Sequence, residues 1–188
     1  MFISTILEFV SSKKRTFFRI HMYFSIMNIF VLHRSPRLSA QYHCDKHVVK
    51  MILETAQLLY SAIWVTNPSQ IPDHAYKLSH KNHTCALWVR QSIQNYTWTC
   101  SLGLWLCKEY TFRYGKIHKT QSHLEWLSTN PPSIPDIGLT AFVLAMPNEY
   151  KDIDPIIAYR TFYRESKYKE RDIVSYKKRK WPEFLNTT

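Results

Sequence analysis

Residues 42–64, YHCDKHVVKMILETAQLLYSAIW, contain neither Gly nor Pro, and we predict that they form one helix of about six turns. At about 100° per residue, the polar side chains share a sector of about 80°, and most of the remaining surface is apolar. This sector contains His43, His47, Lys50, Glu54, Gln57 and Ser61. A surface helix has the reverse proportion, with a narrower apolar stripe. We therefore expect this helix to be buried on most sides.

The narrow polar stripe has two interpretations. It is either a thin solvent-exposed edge of a core helix or the lining of a polar pocket. The residue types favour the pocket, because His43 and His47 lie one turn apart and Lys50 can pair with Glu54 at i, i+4. Imidazole, amine and carboxylate groups together can perform acid–base or Schiff-base chemistry. We expect the stripe to be the functional centre.

The composition predicts a mainly α fold. A chain of 188 residues fits a single compact domain, and 45% hydrophobic residues exclude disorder for most of it. Only three Gly leave little material for tight hairpins or phosphate-binding loops. Dinucleotide-binding and P-loop proteins are excluded, because neither GxGxxG nor a Walker motif is present.

Charge and cysteine usage suggest where the protein acts and on what. A net charge of +11 favours a polyanionic partner, and aromatic residues interleaved with basic ones favour nucleic acid, most simply DNA. The alternative is a basic protein without such a partner. The cysteines form no CxxC pair, so we expect reduced thiols and an intracellular location, in the cytoplasm or nucleus of a host cell, without secretion.

The domain organisation is predicted to be simple. Residues 1–26 form an N-terminal extension, either peripheral or derived from an upstream start, whose apolar runs are too short and too charged to span a membrane. Residues 27–188 form one helical domain with a basic C-terminal tail. Within it, residues 28–32 are a short buried strand. Residues 86–114 are the second long core helix, in which Gly103 would permit a close helix contact.

Further helices are predicted over residues 121–127, 139–146 and 155 to about 170, the last with Pro at its first turn. Basic and aromatic side chains on the second long helix, on the basic loop after it and on the final helix are candidates for phosphate contact and base stacking, although core packing is the alternative for Trp98. The candidate nucleic-acid-binding residues are Arg90, Asn95, Trp98, Arg113, Lys116, His118, Tyr159, Arg160 and Tyr163.

A second hypothesis involves a metal ion. The segment 73–83 is rich in His, and His80 and His83 could join His43 and His47 as ligands of a divalent metal. Glu54 or Asp45 would complete the coordination shell of a metal-dependent nucleotide or phosphodiester hydrolase. No thiol pair or HExxH motif accompanies these residues. The leading hypothesis below needs no cofactor.

From residue 27 onward the chain resembles a family of small proteins of tailed phages and large DNA viruses. The resemblance rests on YHCDKHVVKMILETAQLL, NHTCALWVRQSIQNYTW, KEYTFRYGKIHK, AMPNEY with AYRTFY, and KWPEFL. The opening strand followed by a helix with His and Glu is also similar to the small phage glycosylases that excise pyrimidine dimers. That similarity implies a compact, basic, mainly helical enzyme.

The glycosylase resemblance also implies site residues. It places an imidazole at His43 or His47 and the essential carboxylate at Glu54. Its nucleophile is the α-amine at the chain start, which would require a start at Met27 with that Met removed. Lys50 is the substitute amine, one turn from Glu54.

These observations favour a DNA-acting enzyme of viral type, a base-excision glycosylase with or without lyase activity. Glu54 would stabilise positive charge at the sugar or relay protons, and Lys50 would form an imine. His43, His47 and His83 would serve as acid or base. The alternatives are the metal-dependent hydrolase and a non-catalytic nucleic-acid-binding protein.

Overall fold

The protein is described by a computed structural model that covers residues 27–168 and 174–186. The described ranges are helical and contain no strand. The α-helices are α1 (Pro36–Tyr42), α2 (Asp45–Thr66), α3 (Thr84–Val89), α4 (Ile93–Tyr114), α5 (Gln121–Thr129) and α6 (Pro155–Phe162). A π-helical turn (Tyr163–Tyr168) extends α6, and 3₁₀ turns lie at Pro68–Gln70, Asn148–Tyr150 and Glu183–Leu185. The predicted mainly α fold is confirmed.

Helix α2 is the centre of the core. It packs chiefly against α4 and also against α3 and α5. Its apolar side chains Ile52, Leu58 and Leu59 are fully buried, as its narrow polar stripe predicts. Within the described ranges, α2 alone is long and apolar enough to cross a membrane, but 67% of its most apolar window is buried inside the fold.

The predicted helix over residues 42–64 is interrupted near its start. His43 and Cys44 are extended, and they separate α1 from α2. The first N–H groups of α2 have tertiary acceptors, because Cys44 N–H donates to Tyr163 Oη at 2.8 Å and Asp45 N–H donates to Ser175 O at 2.8 Å. Distant segments therefore fix the break.

The second predicted helix, over residues 86–114, is also two helices. Helix α3 starts earlier, at Thr84, and ends at Val89, and α4 starts at Ile93. Ser92 is extended, and its hydroxyl accepts a hydrogen bond from Gln94 N–H at 3.2 Å. A serine side chain in this position is a typical N-cap. Ser92 therefore marks the start of α4 and divides the predicted continuous helix.

The strand predicted over residues 28–32 is not formed. Residues 28–31 are buried but irregular, and a side chain provides part of their hydrogen bonding. Leu32 N–H donates to Ser39 Oγ, and that hydroxyl donates to Phe30 O, both at 3.1 Å. A side chain of α1 therefore provides hydrogen bonds that a neighbouring strand would provide in a sheet.

The helix predicted over residues 139–146 is wrong, because this segment has no helical structure. Its carbonyl groups are bonded by side chains from other elements. Trp88 Nε1–H donates to Ala141 O at 2.8 Å, and Tyr159 Oη–H donates to Val143 O at 2.8 Å. Hydrogen bonds from these distant side chains replace part of the intrahelical ladder.

A close helix contact forms at Gly103, as its position in the sequence predicts. A Cβ atom at Gly103 would lie 2.8 Å from Leu124 Cδ2 on α5 and 2.9 Å from Thr55 Cγ2 on α2. Because both neighbours are buried, a larger residue would separate three helices.

The predicted final helix begins as expected and ends early. Pro155 occupies the first turn of α6, and Asp154 Oδ1 accepts from Ile156 N–H at 2.7 Å. The α-helical part ends at Phe162, and the π-helical turn follows. Residues 169–170 and the extension 1–26 lie outside the described residues.

The basic tail is anchored at several points and is not simply a solvated charge run. Val174, Tyr176 and Leu185 are buried, and Arg179 forms an ion pair with Glu109 on α4. The exposed basic residues of the described tail are Lys177, Lys178 and Lys180.

Candidate functional site

The amine and the carboxylate of the polar stripe form a pair at the edge of the core. Lys50 Nζ lies 2.9 Å from Glu54 Oε1, and the exposed side-chain fractions are 40% and 10%. The other oxygen, Glu54 Oε2, accepts from Asn28 N–H at 3.2 Å. Both carboxylate oxygens are thus engaged, and the amine reaches solvent. This part of the predicted stripe comes together as expected.

A cavity of about 290 Å³ adjoins this pair through Asn28. Its lining consists of Asn28, His83, Thr84, Ala145, Met146, Pro147 and Phe162. Four separate segments of the chain therefore meet here: the buried segment after residue 27, the start of α3, the non-helical segment before α6, and the end of α6. The cavity is lined mostly by apolar groups, and Asn28, which donates to the Glu54 carboxylate, is the residue that links the two.

Asn28 is held rigidly between the cavity and Glu54. Its Oδ1 accepts from Ile29 N–H at 2.7 Å and lies 3.2 Å from Tyr159 Oη. Its Nδ2–H donates to Ala145 O at 2.9 Å. The side-chain amide is therefore committed to the protein. In the sequence, only the position of Asn28, a polar residue directly before the apolar residues 29–32, indicates this structural role.

His83 lines the same cavity and has a defined tautomer. Its Nδ1 accepts from Cys85 N–H at 3.2 Å, so a neutral ring carries its hydrogen on Nε2. Burial, and secondarily the charge of His80, lower the pKa of His83 below its usual value. The predicted acid–base residue is thus a neutral hydrogen-bond donor in this structure.

The two remaining imidazoles of the stripe lie in the interior. His43 is fully buried, and its Nδ1–H donates to Ser39 O at 2.7 Å. Its Nε2 has no hydrogen-bond partner among the described residues, and burial lowers the pKa of His43 to about 4. His47 is hydrogen-bonded to Tyr163 Oη at 2.8 Å, and its ring stacks on Phe30.

These positions correct part of the predicted site. The stripe faces inward, but its first turn meets aromatic side chains and not a hollow. His43 is 0% and His47 is 4% exposed, so a substrate cannot reach either ring in this structure. The predicted acid–base roles of both residues are therefore contradicted by their burial.

The predicted phosphate-binding role of Arg113 is contradicted by the structure. Its side chain is 0% exposed, and Nη1 donates to Asp45 Oδ1 at 3.1 Å and to His43 O at 2.8 Å. Its Nε donates to Glu109 Oε2 at 3.1 Å. The guanidinium neutralises buried carboxylates and is not available to a nucleic acid.

Four other predicted nucleic-acid contacts are also core residues. Asn95 Nδ2–H donates to Trp88 O at 2.8 Å, and Trp98 Nε1–H donates to Arg34 O at 2.8 Å. The hydroxyl groups of the two tyrosines bond inside the fold, as described above. Their exposed fractions are too small for base stacking, since Asn95, Trp98, Tyr159 and Tyr163 are 0%, 7%, 0% and 1% exposed. Core packing, the alternative given for Trp98, is what the structure shows.

The other predicted nucleic-acid contacts reach the surface to different degrees. Lys116 is exposed, whereas His118, Arg90 and Arg160 are half-buried. Arg160 Nε–H donates to Leu32 O at 2.9 Å, and its guanidinium lies over the rings of Tyr42 and Phe184, so it has a structural role.

Arg90 lines an open groove of about 670 Å³ beside the cavity. The other lining residues are Thr84, Leu87, Trp88, Gln91, Ala141 and Val143. Thr84 borders both the groove and the cavity. A cation is therefore placed along a mostly apolar groove that shares Thr84 with the cavity.

The predicted metal ligands do not converge. His43, His47 and His83 have the separate partners given above, and residues 27–168 and 174–186 contain no group of three or more metal-binding side chains. Asp45, the proposed additional ligand, is buried and bonded to Arg113, Ser175 and Lys177. These residues do not fit a divalent metal.

Comparison of the chain with protein-family models, curated proteins and solved structures gave no match.

Proposed function

We propose that the protein is a base-excision DNA glycosylase that uses Lys50 as an imine-forming amine and Glu54 as its proton acceptor. The observation that carries the proposal is the Lys50 Nζ–Glu54 Oε1 distance of 2.9 Å beside a cavity that shares Asn28 with the carboxylate. An amine, a carboxylate and a mostly apolar cavity are the parts that excision of a flipped base requires.

The chemistry can be written with these two side chains. Glu54 accepts a proton from the Lys50 ammonium, and the neutral amine attacks C1′ of the target deoxyribose. The C1′–N bond breaks, and the base leaves with its electron pair and takes the proton that Glu54 accepted. The sugar ring then opens at the C1′–O4′ bond as one proton of the attached nitrogen moves to O4′, which gives a protonated imine between Lys50 and C1′. Water later adds to C1′ and releases the amine.

The surface supplies cations for the phosphate backbone. Arg90 lies in the groove beside the cavity, and Lys116 is exposed after α4. With a net charge of +11, such residues favour binding to a polyanion. We therefore propose Arg90 and Lys116 as the phosphate contacts.

The resemblance to phage glycosylases implied an α-amine as the nucleophile. In this chain Asn28 N is an amide, and its N–H bonds to Glu54 Oε2. An amide nitrogen is a poor nucleophile, so Lys50 is the amine at hand. In a chain that began at Asn28, the same nitrogen would be an amine 3.2 Å from the carboxylate.

Borohydride trapping tests the proposal. The full chain is incubated with an oligonucleotide that contains an abasic site, and borohydride reduces any imine to a stable amine. Lys50→Arg keeps the cation beside Glu54 but removes the nucleophilic amine. Lys46→Arg is the matched control, since Lys46 lies one turn earlier on α2 and is exposed.

We expect a covalent adduct with the unaltered protein and with Lys46→Arg, and none with Lys50→Arg. Equal trapping of Lys50→Arg would refute the role of Lys50. Neither an adduct nor cleavage with the unaltered protein would refute the enzyme proposal. Salt-sensitive DNA binding that survives Glu54→Gln without turnover would then identify a non-catalytic DNA-binding protein.

A further inference from the structure

The mostly apolar cavity that Asn28 links to Glu54 also has polar side chains in its lining, and these can distinguish ligands. The amide of Asn28 is already bonded on both sides, as described above. Of the seven lining residues, His83 and Thr84 keep side-chain groups that can face a ligand. The hydroxyl of Thr84 can donate or accept, so it does not by itself select a ligand. His83 can select, because its tautomer is fixed.

The hydrogen bond from Cys85 N–H to His83 Nδ1 decides which ring nitrogen is the donor. A backbone N–H can only donate, so Nδ1 must accept, and the hydrogen of the neutral ring is on Nε2. Nε2 forms no hydrogen bond with another residue in the described ranges. The lowered pKa of His83 keeps the neutral tautomer dominant at neutral pH. His83 is therefore a lining residue with an N–H donor at Nε2.

The size and the walls of the cavity suit one planar ring system. A volume of about 290 Å³ lies at the lower limit of the roughly 300–1,000 Å³ that is typical of pockets for drug-sized ligands. Met146, Pro147 and Phe162 supply apolar surface around it. A nucleobase has apolar faces and a polar edge, so it matches this arrangement.

We propose that this cavity receives the target base and that His83 Nε2–H donates a hydrogen bond to an exocyclic carbonyl oxygen of that base. The substrate class is then a base with an oxo group at this edge, such as uracil or hypoxanthine. Cytosine and adenine carry an amino group at the corresponding position. That amino group would oppose the N–H of His83 and leave both donors unsatisfied. This inference rests on the proposed function.

Two pairs of free bases provide the test, because each pair differs mainly at one edge. Binding of uracil and cytosine, and of hypoxanthine and adenine, is measured by calorimetry on the full chain. We expect the oxo member of each pair to bind at least about tenfold more tightly, the ratio that about 1.4 kcal/mol produces.

His83→Asp removes the donor and keeps an acceptor for Cys85 N–H, since Asp is a good N-cap residue. We expect this variant to lose the preference for the oxo bases, and its thermal unfolding checks that it folds. Equal affinities within each pair, a preference that survives in His83→Asp, or no binding of any base would overturn the inference. An abasic oligonucleotide carries no target base, so trapping with it tests the proposed function separately.

Discussion

Arg113 Nη1 lies 3.1 Å from Asp45 Oδ1, and this pair joins the end of α4 to the start of α2 inside the core. Arg113 also binds Glu109, which in turn binds Arg179 of the tail. The carboxylate of Asp45 accepts from the backbone N–H of Lys177 at 2.9 Å. Two helices and the tail are therefore connected by one network of charged groups, of which Asp45, Glu109 and Arg113 are buried.

Arg113→Met should strongly destabilise the fold. The change leaves the carboxylates of Asp45 and Glu109 buried without their shared cation, and removal of one partner of a buried pair typically costs about 3–5 kcal/mol. The measurement is the free energy of unfolding in urea. Lys116→Met, at an exposed position three residues later, is the control and should change it by less than about 0.5 kcal/mol. An equal effect of both changes would contradict the network.

His43 should make stability depend on pH between about 4 and 6.5. Its folded pKa is about 4, below the usual value of 6.5, so the unfolded state binds a proton first as the pH falls. Stability is therefore complete above pH 6.5 and decreases toward pH 4, by roughly 3 kcal/mol in total at about 1.4 kcal/mol per pH unit.

His43→Gln provides the comparison, because an amide can still donate to Ser39 O but does not titrate. Urea unfolding of both proteins at several pH values should show a shallower slope for the variant across this window. Identical slopes would show that another group causes the dependence.

Gly103→Val should be more destabilising than Gly103→Ala. The first added carbon already meets Leu124 and Thr55 at less than 3.0 Å, and overpacking of a core typically costs about 1–3 kcal/mol. In the Ala variant, better helix propensity offsets about 1 kcal/mol of this cost. Thermal unfolding measures both. Stabilisation by Val would contradict the close packing of α2, α4 and α5.

DNA binding should depend on the exposed lysines near the end of α4. Lys177 lies over the ring of Tyr114, and Lys178 Nζ donates to Phe112 O, so the tail places its cations close to Lys116. The triple change of these lysines to Ala should weaken binding and reduce the salt slope by about 0.9 for each phosphate that is no longer neutralised.

Lys77→Ala is the control for DNA binding. Lys77 is exposed and follows Tyr76, whose carbonyl oxygen accepts from Trp64 Nε1–H in the last turn of α2. The end of α4 packs against the other end of α2. The control should leave the salt slope unchanged. An effect of Lys77→Ala that is one third of the effect of the triple change, the share of one charge in three, would indicate that net charge alone drives binding.

The sequence predicts what depends on local pattern. The apolar circumference of the central helix, the close contact at Gly103 and the start of α6 at Pro155 all follow from residue types at fixed spacing. The pairing of Lys50 with Glu54 is also an i, i+4 relationship within one helix. Each of these features needs only neighbours along the chain.

The remaining features depend on distant partners. The break at His43 and Cys44 contains no Gly or Pro, and it is held by Tyr163 and Ser175, far along the chain. Burial of Arg113 could not be predicted from its charge, because Asp45 and Glu109 come together only in the fold. The alternating aromatic and basic residues around Tyr159 predict nucleic-acid binding, but Tyr159 is buried. The spacing of residues along a helix does not show which of its faces is buried.

Identification of the trapped residue tests the central claim most directly. The adduct formed with an abasic oligonucleotide is reduced with borohydride, digested with protease and nuclease, and sequenced by mass spectrometry. We predict that the added mass lies on Lys50, the amine 2.9 Å from Glu54. An adduct on Lys46 or on any other amine, or no adduct at all, would contradict the proposed role of the Lys50–Glu54 pair.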